Sequence, residues 1–263
     1  MAPAWTSAGA EYGISQGRSA HLSTVRTGRQ TGRAQPQMRA YDIAGLTTAG
    51  SQTEMTIDGP MGVPFEPAFS GMVRGTLIDT PRGRTPIEDL RPGDLIATTH
   101  SGPQPIQWIG SMLLFPDRTA HAGAPLIRIC VDTFGMDRPT SDLIIGHGMR
   151  LLHHGAHLQD RFGTADVAIP AHALCDGYGV FPLHPSVPVR LYHIVLPMQE
   201  MLRANGVPVE SYHPGPEIQH MLPPETLAQL LEFFPHANNV ADFGPMAYPR
   251  LTGFETRELL GLT

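Results

Sequence analysis

Apolar residues along this chain recur in short runs, three to ten residues long, separated by turn-forming residues. The runs at 76–80, 86–90, 95–100, 105–109, 126–131, 143–145, 149–153, 167–170 and 187–196 are rich in Ile, Val, Leu and Thr. Runs of this length with β-branched residues predict strands, each too short for an independent helix. Between them, Pro81-Arg82-Gly83 and Arg91-Pro92-Gly93-Asp94 are turns, because proline presets φ and glycine accepts φ > 0. Trp108, inside a strand-like stretch, is expected in the core with its indole N–H hydrogen-bonded.

The period changes after Gly215. Leu227, Leu230, Leu231 and Phe234 follow i, i+3, i+4, i+7, with Pro223-Pro224 ahead and Pro235 behind, the signature of a short amphipathic helix. Thr252-Gly-Phe-Glu255 reads as a capping box opening a last helix through Leu259-Leu260. These helices are expected to pack on the β core or on a partner copy. At the other end, residues 1–38 are dominated by Gly, Ser, Thr, Gln and Ala, with several arginines and Glu11 as the single acid. That composition predicts a disordered basic arm. Residues 39–70 read as an extended lead-in, strand-like from Arg39 to Ile57 and broken by Gly59-Pro60.

At 263 residues the chain can bury roughly 70–75% of its unfolded surface. The 28 glycines and 26 prolines suit many tight turns and would ruin a helical bundle. A net charge of −6 argues against nucleic acid as the main partner. All 18 basic residues are arginine, so Schiff-base lysines, lysine-dependent phosphate loops and protein kinases are excluded. Cys130 and Cys175 form no disulfide framework and no metal spacing, and their apolar surroundings read as those of buried, inert thiols. No hydrophobic run suggests a signal peptide or a membrane span, so the default location is cytoplasmic, with signal-independent export the alternative.

A faint internal repeat links Thr85-Pro-Ile-Glu-Asp-Leu-Arg-Pro-Gly-Asp-Leu95 to Val167-Ala-Ile-Pro-Ala-His-Ala-Leu-Cys-Asp-Gly177. Each half reads strand, turn-like link, strand.

Gly75-Thr76, Pro86-Ile-Glu-Asp-Leu90 and Gly93-Asp94 are followed by Gln104-Pro-Ile-Gln-Trp-Ile-Gly110, Asp142-Leu-Ile-Ile145, Ile169-Pro-Ala171, Tyr192-His193 and Val209-Glu-Ser211 with Pro214-Gly215. In this order and spacing they resemble the Hint domain, the fold of inteins and hedgehog autoprocessing domains. The resemblance implies an all-β, pseudo-symmetric horseshoe of short strands over residues 71–215, with a disordered N-terminal arm and a short helical C-terminal extension at 216–263.

It also implies chemistry that this chain has lost. The family's first residue is a Cys or Ser nucleophile; here that position is Gly71. The middle-block histidine, which protonates the departing amide nitrogen, a general-acid role worth about 10²–10⁴-fold, falls at Met149. A further family histidine falls at Gln199, and there is no His-Asn dipeptide. No catalytic residues and no cofactor are therefore expected. The implied role is a non-catalytic binding or structural module with an unidentified protein partner and an open oligomeric state. The alternative is residual self-cleavage near Ser70–Gly71, with Ser70 and His147 as fallback nucleophile and acid. A weaker alternative is a histidine-ligated metal hydrolase. His147, His153, His154 and His157 lie close in sequence, with His100, His121, His172 and His193 elsewhere. His153 and His157 share a face only on a helix, however, and Leu151-Leu152 followed by Gly155 reads as strand and turn. No metal is expected.

Overall fold

A computed structural model of the chain describes residues 37–116 and 125–262; residues 1–36 of the expected basic arm and His121 lie outside the described residues, and Met38, placed in that arm, opens the first strand. In chain order the first eight strands are β1 (Met38–Leu46), β2 (Gln52–Pro60), β3 (Met72–Val73), β4 (Leu77–Thr80), β5 (Gly83–Pro86), β6 (Leu95–Ala97), β7 (Pro103–Pro105) and β8 (Trp108–Leu114). The next eight are β9 (Leu126–Ile129), β10 (Leu143–Gly146), β11 (Arg150–His154), β12 (Asp166–Pro170), β13 (Val180–Leu183), β14 (Val189–Val195), β15 (Met201–Ala204) and β16 (Val207–Glu210). Four short helices follow β11 or the last strand: α1 (Leu158–Phe162), α2 (Ile218–Met221), α3 (Pro224–Leu231) and α4 (Gly253–Leu260).

The strands form an eight-stranded sheet, β13-β9-β10-β3-β14-β8-β1-β2, a six-stranded sheet, β12-β11-β16-β15-β4-β5, and the β6-β7 ribbon. The strand pairings are antiparallel throughout. The protein is all-β with a small helical C-terminal region.

The sequence repeat has a structural counterpart, two residues out of the register that the sequence suggests: Pro86 matches Pro170 and Ile87 matches Ala171. In the six-stranded sheet the β15–β16 hairpin is central, with the β4–β5 hairpin on one side and β11–β12 on the other. β5 and β12 both end in proline and run into a 3₁₀ turn, Ile87–Asp89 and Ala171–Leu174. Each turn opens with the same bond: the Ile87 N–H donates to Thr76 O at 2.9 Å, and the Ala171 N–H to Met149 O at 2.9 Å. Thr76 and Met149 also donate to the residue three back, Val73 and Gly146, at 3.1 and 3.0 Å. The two halves therefore repeat in backbone conformation where their side chains differ.

Several expected boundaries move. Pro86–Leu90, read as a strand, is this 3₁₀ turn, because Glu88 folds back to accept the Gly75 N–H at 2.8 Å and pairs with Arg74. The stretch 105–109 is split between β7 and β8, since the Ile106 and Gln107 amides bond out of line to Asp94 O and Val195 O. The lead-in is a hairpin turning at 47–51, and β1 pairs with β8 from Tyr41↔Met112 to Gly45↔Trp108. β15 and β16 carry no long apolar run. Their signal is Asn205-Gly206, with φ of +48° and +84°, the turn that joins a tight hairpin.

Two buried clusters fill the interior. One is aliphatic, built from residues such as Ile78, Ile87, Ile145, Leu151, Leu202 and Val209. The other is aromatic and joins β1 and β8 to the C-terminal region through Tyr41, Phe69, Trp108, Phe233 and Phe234. The Trp108 indole N–H donates to Phe233 O at 2.7 Å, the hydrogen bond expected for a buried tryptophan. Residues after α3 thus pack on this chain's own sheet. Thr252 and Glu255 cap α4 reciprocally. The two thiols are not buried as expected: Cys130 is half-buried, and Cys175 is exposed because it ends the Ala171–Leu174 turn. Among the described residues no helix is long and apolar enough to cross a membrane.

Candidate functional site

Gly71 lies where β3, β10 and β14 run side by side. Gly71, one residue before β3, accepts the Gly146 N–H through its carbonyl at 2.6 Å. It leaves no space for a side chain. A Cβ at this position would run into the carbonyl oxygen of Tyr192 and would lie 2.9 Å from Cγ and 3.0 Å from Cβ of His193. Backbone cannot give way as a flexible side-chain end can, so glycine here is a packing requirement.

His193, on β14, is 6% exposed. Burial pushes its imidazole down to about 4, so the ring is neutral near pH 7. The backbone carbonyls of Pro67 and Glu210 favour its charged form, but neither ring nitrogen completes a hydrogen bond among the described residues.

His193 opens into a cavity of about 270 Å³ that Met149, Arg150, Glu210, His213 and Arg250 also line. Met149 is 3% exposed and presents a thioether where the family's acid is expected, which cannot deliver a proton. Glu210 is the hub of the charged groups. Its Oε1 accepts from Arg250 Nε at 2.8 Å and from the Gln199 side-chain amide, and its Oε2 lies 3.8 Å from Arg150 Nη1. Arg250 Nη2 also donates to His213 O at 2.7 Å. His213 is held in one tautomer: Nε2–H donates to Gly244 O at 3.0 Å and Nδ1 accepts the Gly215 N–H at 2.9 Å. Desolvation lowers its proton affinity, as it does for Arg150.

The remaining candidates lie elsewhere. Gln199 is fully buried and acts as a brace, its Oε1 accepting the Tyr248 N–H at 2.7 Å while its amide holds Glu210. Ser70 backs onto Gly146, where a Cβ would come within 2.5 Å of the serine Oγ. The His147 ring is exposed and stacks on His172 at 4.5 Å. Neither Ser70 nor His147 lines the cavity. His153 and His154 end β11, Gly155 turns, and α1 starts after His157, so the histidine run never presents one face. His154 instead shares Asp166 with His100, at 2.8 and 3.0 Å. Among the described residues no group of three or more His, Cys, Asp or Glu is placed to hold a metal ion. A larger groove of about 480 Å³ beside β1 and β2, with Asp42, Glu54 and Glu88 on its walls, holds none of the candidate positions.

Sequence reasoning missed Arg150, Arg250 and His213. Arg150 is visible only as the neighbour of Met149, and Arg250 carries no local signal at all.

The strands form a framework with a duplicated turn, and Gly71 abuts the buried His193. The Hint domain family profile matches residues 70–216. The chain belongs to the Hint domain family. Among solved structures it is similar to a bacterial intein-like domain from Clostridium thermocellum, at 13% identity over 55% of this chain and 99% of that one, with a TM-score of 0.38. It is also similar to the gp41-1 intein, at 12% identity over 54% and 98% of the two chains, with a TM-score of 0.33. No curated protein matches the chain.

Proposed function

We propose that this Hint domain has given up self-cleavage and serves as a non-catalytic binding or structural module. The observation that carries the reading is the wall around Gly71. The nucleophile position has no side chain, and the Tyr192 carbonyl and the His193 ring fill the space one would need. The other losses agree with it. Met149 cannot protonate a leaving amide, and Gln199 is committed to holding Glu210 and the Tyr248 amide.

Intact mass tests the reading. Purified full-length protein is held for a day at neutral pH with and without a thiol. A single species at 28.5 kDa in both samples supports a silent domain. Two fragments meeting between residues 70 and 71 overturn it and make Ser70 and His147 the first residues to replace.

A further inference from the structure

The two large sheets end in four strands, β13 and β2 on one, β12 and β5 on the other. Three of these edges are covered or blunted. β12 is covered by the chain's own residues 249–251, with the Ala168 N–H donating to Pro249 O at 2.8 Å and the Leu251 N–H to Ala168 O at 2.9 Å. β13 carries Pro182, which has no N–H to offer, and β5 is four residues long and ends in Pro86. β2 differs. It runs for nine residues, Gln52–Pro60, with no strand beyond it among the described residues. An open edge of that length is a template for an added strand.

The register shows which groups the edge offers. At the two ends of the β1–β2 ladder, the Met61 N–H donates to Gln37 O and the Thr47 N–H to Ser51 O, at 2.8 and 2.7 Å. Antiparallel bonding alternates along a strand, so Thr53, Met55, Ile57 and Gly59 bond inward to β1. The N–H and C=O groups of Gln52, Glu54, Thr56 and Asp58 therefore point outward. Pro60 falls in the same series, where a missing N–H costs no ladder bond.

The two faces of the strand specify the partner. Met55 and Ile57 are half-buried against the aromatic cluster, so apolar side chains on an added strand would extend that cluster. On the other face Glu54 and Asp58 are exposed, and their carboxylates have no partner among the described residues. Asp42 and Glu88, which share the adjoining groove with Glu54, are by contrast held by Arg190 and Arg74. The same alternation disfavours a second copy. In the register of full overlap, two β2 strands would set Glu54 of each against Asp58 of the other, and like charges directly opposite repel.

We propose that the β2 edge is the docking site for an extended protein segment in which basic and apolar residues alternate. The segment adds to the eight-stranded sheet beside β2. Its basic residues face Glu54 and Asp58, its apolar residues cover Met55 and Ile57, and its backbone takes the bonds that the outward residues offer. β2 lies ahead of residues 70–216, so the inference goes beyond the non-catalytic reading and does not depend on it.

The test is fluorescence anisotropy with the full-length protein at neutral pH, with the intact mass of the same sample recorded afterwards. The probes are three fluorescein-labelled peptide amides, Arg-Val-Arg-Val-Arg-Val-Arg, Arg-Arg-Val-Val-Val-Arg-Arg and Glu-Val-Glu-Val-Glu-Val-Glu, each as long as the stretch Gln52–Asp58. The alternating basic peptide is expected to bind about tenfold or more tighter than its reordered isomer, and the acidic peptide not at all. Glu54→Lys combined with Asp58→Lys, both at exposed positions, should weaken the basic peptide by about tenfold or more. Thr56→Pro removes one outward N–H and no bond to β1, so it should weaken binding while circular dichroism stays unchanged. The charge reversal serves if the proline variant does not fold. The proposal is overturned if the alternating basic peptide does not bind, or if its binding survives the charge reversal. It is also overturned if both basic orders bind equally, which would leave general charge attraction only. Sedimentation of the protein alone completes the test, since a dimer that Thr56→Pro dissolves would give the edge to a second copy and overturn the proposal. A fragmented mass overturns the non-catalytic reading and leaves the docking result standing.

Discussion

The carbonyl oxygen of Tyr192 occupies the space that a side chain on Gly71 would need. The two residues lie on neighbouring backbone, with β3 pairing to β14 through Tyr192↔Met72, so their spacing is set by the sheet itself. The sheet leaves no room for a side chain at position 71.

Restoring the family residue should therefore fail. Gly71→Cys is expected to lower stability by about 1–3 kcal/mol through overpacking and to leave the chain full length in thiol. Adding Met149→His should not change the mass either. Chemical denaturation and intact mass check both halves of this prediction, and thiol-dependent fragments from the double variant would refute it.

Stability should rise with pH between about 4 and 6.5. His193 and His236 are pushed down to about 4 by burial, so in this window the unfolded chain binds protons that the folded chain does not. The stabilisation is complete above about 6.5 and is lost as pH falls toward 4. For His193 the change amounts to roughly 3 kcal/mol. Urea midpoints measured from pH 4 to 8 should climb and then level, and His193→Phe should flatten the climb. An unchanged slope in that variant would remove His193 as a cause.

Phe233 joins the C-terminal region to the sheet by two means. Its carbonyl accepts from the Trp108 indole, and its ring meets Tyr41, Phe65 and Phe69 at 5.4, 5.8 and 5.5 Å between centroids. Phe233→Ala should cost about 3–5 kcal/mol, read from equilibrium unfolding. A cost below about 1 kcal/mol, the scale of an ordinary surface change, would show that the C-terminal region adds little to the core.

Arg250 holds Glu210 from outside the family region. Glu210 is 5% exposed, so Arg250→Met leaves a buried carboxylate with only the Gln199 amide and a distant Arg150. A loss of about 3–5 kcal/mol is expected. Arg250→Met combined with Glu210→Gln should recover part of it, because the second change removes the stranded charge. A double variant no more stable than Arg250→Met would refute the ion-pair account.

Features written in neighbouring residues were legible without the structure: the short strands, the Pro-Gly turns, the Thr252–Glu255 capping box and the buried Trp108. So was the existence of the internal repeat, though in a register two residues out. Legibility failed where a local rule competes with a distant partner. Pro86-Ile-Glu-Asp-Leu90 has strand-like residues, yet Glu88 reaches back to the Gly75 amide and bends it into a 3₁₀ turn. Asn205-Gly206 is a hairpin signal, but the strands it joins are four residues each and form no apolar run that would mark them.

From its order of residues alone, the chain determined that it folds as short β strands of the Hint type and that positions 71, 149 and 199 carry no nucleophile, acid or histidine. Those are properties of single residues and local spacing. Only the tertiary structure decided that Gly71 is walled in and that Arg150, His193, Glu210 and Arg250 enclose one cavity. Groups from 17 to 100 positions apart meet according to strand pairing and register, and a one-residue slip would send each to the opposite face. That information lies in the closed sheets as a whole, and no local stretch of sequence contains it.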